Sequence, residues 1–191
     1  MTRNRAPAND DPRRHLALTK PSAWIERFAG LVAAGGPVLD VACGGGRHAR
    51  LFLARGHPVT AVDRDISALD NLGDRPDLQR LQVNLEDGRP FPLAGRRFAG
   101  IVVTNYLYRP LFPALIAALA PGGVLLVETF AQGNERFGRP RNPDHLLHPG
   151  ELLEVVHGAL RVLAYEDLVV DKPRPAAVQR ICARKEAEAA A

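Results

Sequence analysis

The sequence contains only two cysteines in 191 residues, Cys43 and Cys182, and they fall in different predicted segments. Two such residues exclude a disulfide framework and a cysteine-built zinc site, so no metal is expected. No apolar run reaches the roughly 20 residues needed to cross a bilayer, and no membrane partner is expected. Residues 1–14 are polar and lack the apolar core of a signal peptide, which makes cytoplasmic residence the expectation. Internal repeats are absent, and no shift in composition marks a second domain. Arg3, Arg5, Arg13 and Arg14 form a basic arm without interleaved aromatics, so nucleic-acid bases find no stacking platform there.

What the chain does have is an ordinary globular composition, 46% hydrophobic and 24% charged, at a length that supports one full core. The net charge of +4 reflects many arginines in an alanine- and proline-rich sequence, a weak pull toward an acidic partner. The expected organisation is a flexible basic arm over 1–20, one domain over 21–184 and a frayed tail over 185–191. Strand and helix signals alternate. Ser22 opens a helix carrying Trp24, Phe28 and Leu31, and strands are expected at Val38–Ala42 and Val59–Asp63. Further strands are expected at Leu78–Asn84, Phe98–Thr104, Val124–Phe130, Leu160–Val170 and Ala177–Ala183. A helix from Arg47 to Arg55 and another from Pro110, with Leu111, Leu115 and Leu119 on one face, lie between them, and 150–158 is helical. Such alternation predicts an α/β fold with a mostly parallel sheet covered on both faces.

The most informative stretch is Val38-Leu39-Asp40-Val41-Ala42-Cys43-Gly44-Gly45-Gly46-Arg47-His48, followed by Ala61-Val62-Asp63-Arg64-Asp65. A buried strand enters a glycine turn where backbone can approach a ligand, since no Cβ intervenes. Asp63, 23 residues beyond Asp40, then stands at the tip of the next strand, where a carboxylate can accept both ribose hydroxyl protons. A nucleoside ligand is predicted. The turn has no lysine or hydroxyl after its glycines, which removes the Walker phosphate loop. Ala49 stands where a dinucleotide fold has its third glycine, a tolerated exchange, so the glycines alone leave NAD open. Asp40 decides against it: a carboxylate before the loop repels a pyrophosphate and attracts an ammonium group.

On these residues the chain resembles the class I S-adenosylmethionine-dependent methyltransferases. Leu39 to Gly46 matches their first motif, with Ala42 in the first glycine position, and the resemblance runs from about Pro37 to Arg184. It implies a Rossmann-like, doubly wound seven-stranded sheet whose last strand inserts antiparallel to the rest. It also implies S-adenosyl-L-methionine as cofactor and S-adenosyl-L-homocysteine as product. Asp40 would orient the methionine end, Ala42, Gly44 and Gly46 would line its path, and Asp63 would bind the ribose. Asn84 takes the place of an acid that meets adenine, with Leu85 beside it and Glu86 or Asp87 as substitutes. Arg64 lies on the adenine face or in solvent, and Arg47 pairs with the cofactor carboxylate or faces solvent.

Methyl transfer from a sulfonium is an in-line displacement, so the protein supplies orientation, desolvation and, for some acceptors, a base. Asn105 and Tyr106, at the carboxyl end of the fourth strand, are the catalytic candidates, and Asn105 also adjoins the cofactor. Tyr108 is a methyl-site group or a core aromatic. His48, at a helix amino terminus that disfavours its charged form, is a base or substrate contact, or a surface histidine. The connection 132–149 combines aromatics and arginines, and its glycines suit a hinged lid. Phe137, Arg139 and Arg141, with Arg109, are therefore substrate candidates, drawing in an anion. The second half is loosely similar to the tellurite-resistance methyltransferase group, which implies a small soft acceptor such as an oxyanion or thiol. The expected function is methylation of a small molecule by a monomer or homodimer. RNA or protein methylation, and a non-catalytic S-adenosylmethionine-binding partner subunit, are the alternatives.

Overall fold

The computed structural model describes residues 19–187. The expected basic arm falls outside the described residues except for Thr19 and Lys20, and so do residues 188–191 of the expected tail. Ser22 caps the first helix, α1 (Ala23–Phe28), its Oγ accepting the Trp24 and Ile25 N–H groups at 3.2 and 3.5 Å. Strand β1 (Val38–Val41) leads through the glycine turn to α2 (Arg47–Ala54), then to β2 (Val59–Asp63) and β3 (Leu78–Gln82). Strand β4 (Phe98–Thr104), α3 (Phe112–Ala118), β5 (Leu119–Phe130), α4 (Glu151–Val156), β6 (Arg161–Val170) and β7 (Ala176–Arg184) follow.

The seven strands lie in the order β3-β2-β1-β4-β5-β7-β6. β1 pairs in parallel with both β2 and β4, whereas β7 runs antiparallel to β5 and to β6. The expected Rossmann-like sheet with an antiparallel last strand is the sheet observed. Its chain reverses direction across the sheet between β1 and β4, which opens a crevice at their carboxyl ends.

Alternation along the strands divides the core in two. Leu39, Val41, Ile101, Val103, Leu125 and Val127 pack with α3 and α4 on one face. Val38, Ala61, Val102, Val124 and Leu126 pack with Trp24 and Ile25 of α1 and Ala49 and Phe52 of α2 on the other.

One local expectation is corrected. Leu119 is not the last position of a helical stripe: α3 ends at Ala118, and Leu119 already pairs with Phe98 as the first residue of β5. The segment after Asp65 is a 3-10 helix, Ser67–Leu72. The chain is also tied down one residue past β7. The Lys185 backbone N–H donates to Gly123, and its ammonium reaches the Leu119 carbonyl at 3.1 Å, satisfying an acceptor beyond the end of α3.

Candidate active site

One cleft of about 430 Å³ occupies the crevice, and the ends of β1, β2, β3, β4 and β5 all contribute to it. The β1 turn enters as Ala42, Cys43, Gly44 and Gly45, β2 as Asp63 and Arg64, and the β3 end as Asn84, Leu85 and Glu86. β4 adds Thr104, Asn105 and Tyr106, and β5 ends there at Thr129 and Phe130.

Among the described residues, two that are not glycine have positive φ, Ala42 at 50° and Asn105 at 54°, and both line this cleft. They follow neighbouring strands, so strained backbone is concentrated at the crevice, where such outliers mark function. Gly46 ends the turn at φ 71° and caps α2; a Cβ there would come within 2.7 Å of the Leu69 side chain.

Asp63 organises the turn from the next strand. Its Oδ2 accepts the Gly44 N–H at 2.8 Å and its Oδ1 accepts the Asp65 N–H at 3.1 Å. Each oxygen retains a lone pair, so the carboxylate can still accept ligand hydroxyls. Asn84 uses its amide oxygen on the Glu86 N–H at 3.0 Å, building the turn that presents Leu85 and Glu86. Burial, followed by the charge of Glu86, raises the Tyr106 phenol well above its ordinary value. Tyr106 therefore stays protonated, with the Glu86 carboxylate as acceptor for its proton, and lines the cleft.

Other candidates lie away from the cleft lining. Asp40 is 1% exposed on the α2 face of β1, where Oδ2 accepts the Ala49 N–H at 2.9 Å. Its Oδ1 is buried without a hydrogen-bond partner among the described residues. Burial first of all, with Asp63 adding to it, raises Asp40 to about 7 against the pull of Ala49 and Arg47. His48 is no surface histidine: it is 1% exposed, with its ring nitrogens turned to the Ser22 backbone and to Thr104. Arg109 is likewise occupied. It donates from Nε and Nη2 to Glu151, at 2.7 and 2.9 Å, and to the carbonyls of Asp144 and Leu146.

Those contacts explain the connection 132–149. Leu147 pairs with Ala131 as an isolated bridge, and Arg109 holds the backbone just before it. The pinned segment sends Pro140 and His145 into the cleft wall, while Phe137, Arg139 and Arg141 are exposed outside it. His145, Glu86, Arg47 and Thr104 were missed as cleft residues or left as one choice among several. Strand ends signal Glu86 and Thr104, but His145 reaches the cleft only because the chain returns to β5.

A profile described as a methyltransferase domain matches residues 13–158, most of the chain. The chain belongs to this methyltransferase-domain family. Among curated relatives, the trans-aconitate 2-methyltransferase of Rhizobium meliloti (strain 1021) is 36% identical over 123 residues, 62% of this chain and 42% of the relative. That of Sinorhizobium medicae (strain WSM419) is 36% identical over 98 residues, 49% of this chain and 38% of the relative. The chain thus spans about two fifths of the length of the curated relatives it matches. In fold, this methyltransferase-family chain resembles TehB from Haemophilus influenzae, with a TM-score of 0.74 at 16% identity over 89% of this chain and 64% of that one. The glycopeptide N-methyltransferase MtfA, crystallised with S-adenosyl-L-homocysteine, gives 0.59 at 21% identity over 84% and 87%.

Proposed function

We propose that the chain transfers the methyl group of S-adenosylmethionine to a small carboxylate or related oxyanion. One observation carries the reading: the β1 turn, Asp63 and the Tyr106–His145 wall share a single cleft, joining a nucleoside end to an acceptor end. The family and the trans-aconitate methyltransferase relatives support it.

The donor supplies a methyl group already activated on a sulfonium, so no further electrophile is needed. Asp63 is suited to hold the ribose hydroxyls, Arg64, Asn84 and Leu85 to flank the base, and the Ala42–Gly45 backbone to receive the amino-acid end. Asp40 and Gly46 act from behind, by holding the turn. Asn105, Tyr106 and His145 form the acceptor wall, and Arg47 contributes positive charge to the same cleft. Tyr106 keeps its proton, so it bounds the acceptor but does not deprotonate one. An acceptor that is already ionised at neutral pH fits such a site, as a carboxylic acid is.

Calorimetry with S-adenosylhomocysteine tests the donor half; no heat of binding would end the proposal. Homocysteine release in a coupled assay with trans-aconitate, tellurite and small thiols tests the acceptor. Turnover with an oxyanion is expected, and turnover with thiols alone would replace the acceptor assignment.

A further inference from the structure

Thr104 closes β4 on the face that also carries Val102, is 8% exposed, and lines the cleft. Behind it, His48 Nδ1 lies 3.3 Å from Thr104 Oγ1. The other ring nitrogen, Nε2, lies 3.1 Å from the backbone nitrogen of Ser22. A backbone N–H can only donate, so Nε2 is the acceptor and carries no proton. Burial, followed by the charge of Arg47, lowers His48 to about 3, which keeps the ring neutral with its one proton on Nδ1. Nδ1–H therefore donates to the Thr104 hydroxyl. A hydroxyl that accepts from behind still has its own proton to give, and His48 is its one hydrogen-bond partner among the described residues. The cleft lies on the open side.

We infer that Thr104 is a ligand-binding residue whose hydroxyl donates to a carboxylate oxygen, with His48 as the positioning residue that turns its proton toward the cleft. Arg47 lines the same cleft, and a carboxylate accepts readily from a hydroxyl and a guanidinium together. The inference rests on the methyl-donor reading above. The carboxylate then belongs either to the amino-acid end of the donor or to the acceptor. The Ser22 contact gives α1 a part in this arrangement, because the N–H that selects the His48 tautomer belongs to the residue capping that helix.

The test compares Thr104→Val, which keeps the shape and removes the hydroxyl, with Thr104→Ser, which keeps the hydroxyl. Affinity is measured by calorimetry for S-adenosylhomocysteine and for 5′-methylthioadenosine, which lacks the amino-acid end, and KM is measured for trans-aconitate. Thr104→Val should weaken S-adenosylhomocysteine roughly 10- to 100-fold, as loss of a hydrogen bond to a charged group does. It should leave 5′-methylthioadenosine unchanged, and Thr104→Ser should restore binding. An unchanged S-adenosylhomocysteine affinity with a raised trans-aconitate KM would place the carboxylate on the acceptor and support the inference equally. Equal weakening of both nucleosides, or no change in any of the three, overturns it. His48→Leu should reproduce the Thr104→Val pattern and add little to it in the double variant; full additivity overturns the positioning role, and Thr104→Val stands alone if His48→Leu does not fold. Wild-type protein that binds no S-adenosylhomocysteine removes the donor reading first, and this inference with it.

Discussion

β1 turns Leu39 and Val41 to one side of the sheet and Asp40 to the other, beneath α2 and against Ala49. Burial raises Asp40 from an ordinary 3.8 to about 7, so its protonated form is favoured in the folded chain. That contribution is complete below the unfolded value and is lost as pH rises through about 7. Asp40→Asn should therefore match wild type near pH 4 and exceed it at pH 8, by at most about 4 kcal/mol. Thermal denaturation across that pH range checks this, and parallel curves would refute it. Ala42 is held at φ 50°, in the left-handed region that glycine adopts without strain. Ala42→Gly should stabilise the chain by about 1 kcal/mol, offset in part by glycine's greater freedom when unfolded, which a urea titration measures. Asp63→Ala leaves the Gly44 and Asp65 N–H groups without their acceptor and should weaken S-adenosylhomocysteine at least about tenfold in calorimetry.

The element that most shapes the Tyr106 and His145 side of the cleft is the connection from β5 to α4. Arg109 sits in the 3-10 turn before α3 and fastens this connection through Glu151 and two backbone carbonyls. The Glu151 carboxyl is depressed on balance: burial pushes it upward, but the Arg109 bonds and the His148 N–H outweigh that. Arg109→Ala should cost about 1–3 kcal/mol in denaturant unfolding and raise the acceptor KM more than the donor affinity changes. Arg109→Lys should recover little, because one ammonium cannot reproduce a planar fork that meets a carboxylate and two carbonyls. Full rescue by lysine would show that charge alone suffices.

Across the whole molecule, the cleft is supported by its most protected strands. β1, β4 and β5 are central and buried on both faces, whereas β3 and β6 form the edges. Amide hydrogen exchange should be slowest in β1, β4 and β5 and fastest in β6, where Val162, Leu168 and Val169 are 39%, 39% and 49% exposed. Protection of β6 equal to that of β4 in dilute protein would refute this ranking. No helix among the described residues is long and apolar enough to cross a membrane.

Local chemistry was enough to foresee the strand-turn-helix at Val38–Ala54, the Ser22 cap and Asp63 at the tip of β2. Each depends on alternation, glycine or a capping hydroxyl within a few residues of sequence. The same reading placed Asp40, His48 and Arg109 at a ligand because charge and position in a motif do not reveal which way a side chain points. Tertiary packing decided that. Strand parity put Asp40 under α2, the Ser22 backbone claimed His48, and Glu151, 42 residues away, claimed Arg109. The sequence by itself determined the glycine turn after β1 and the Asp63 tip of β2, since each is built within one short stretch of chain. The Tyr106 and His145 side of the cleft is decided by the tertiary structure, because those residues line one cleft only after β5 and its returning connection bring distant segments to one sheet edge.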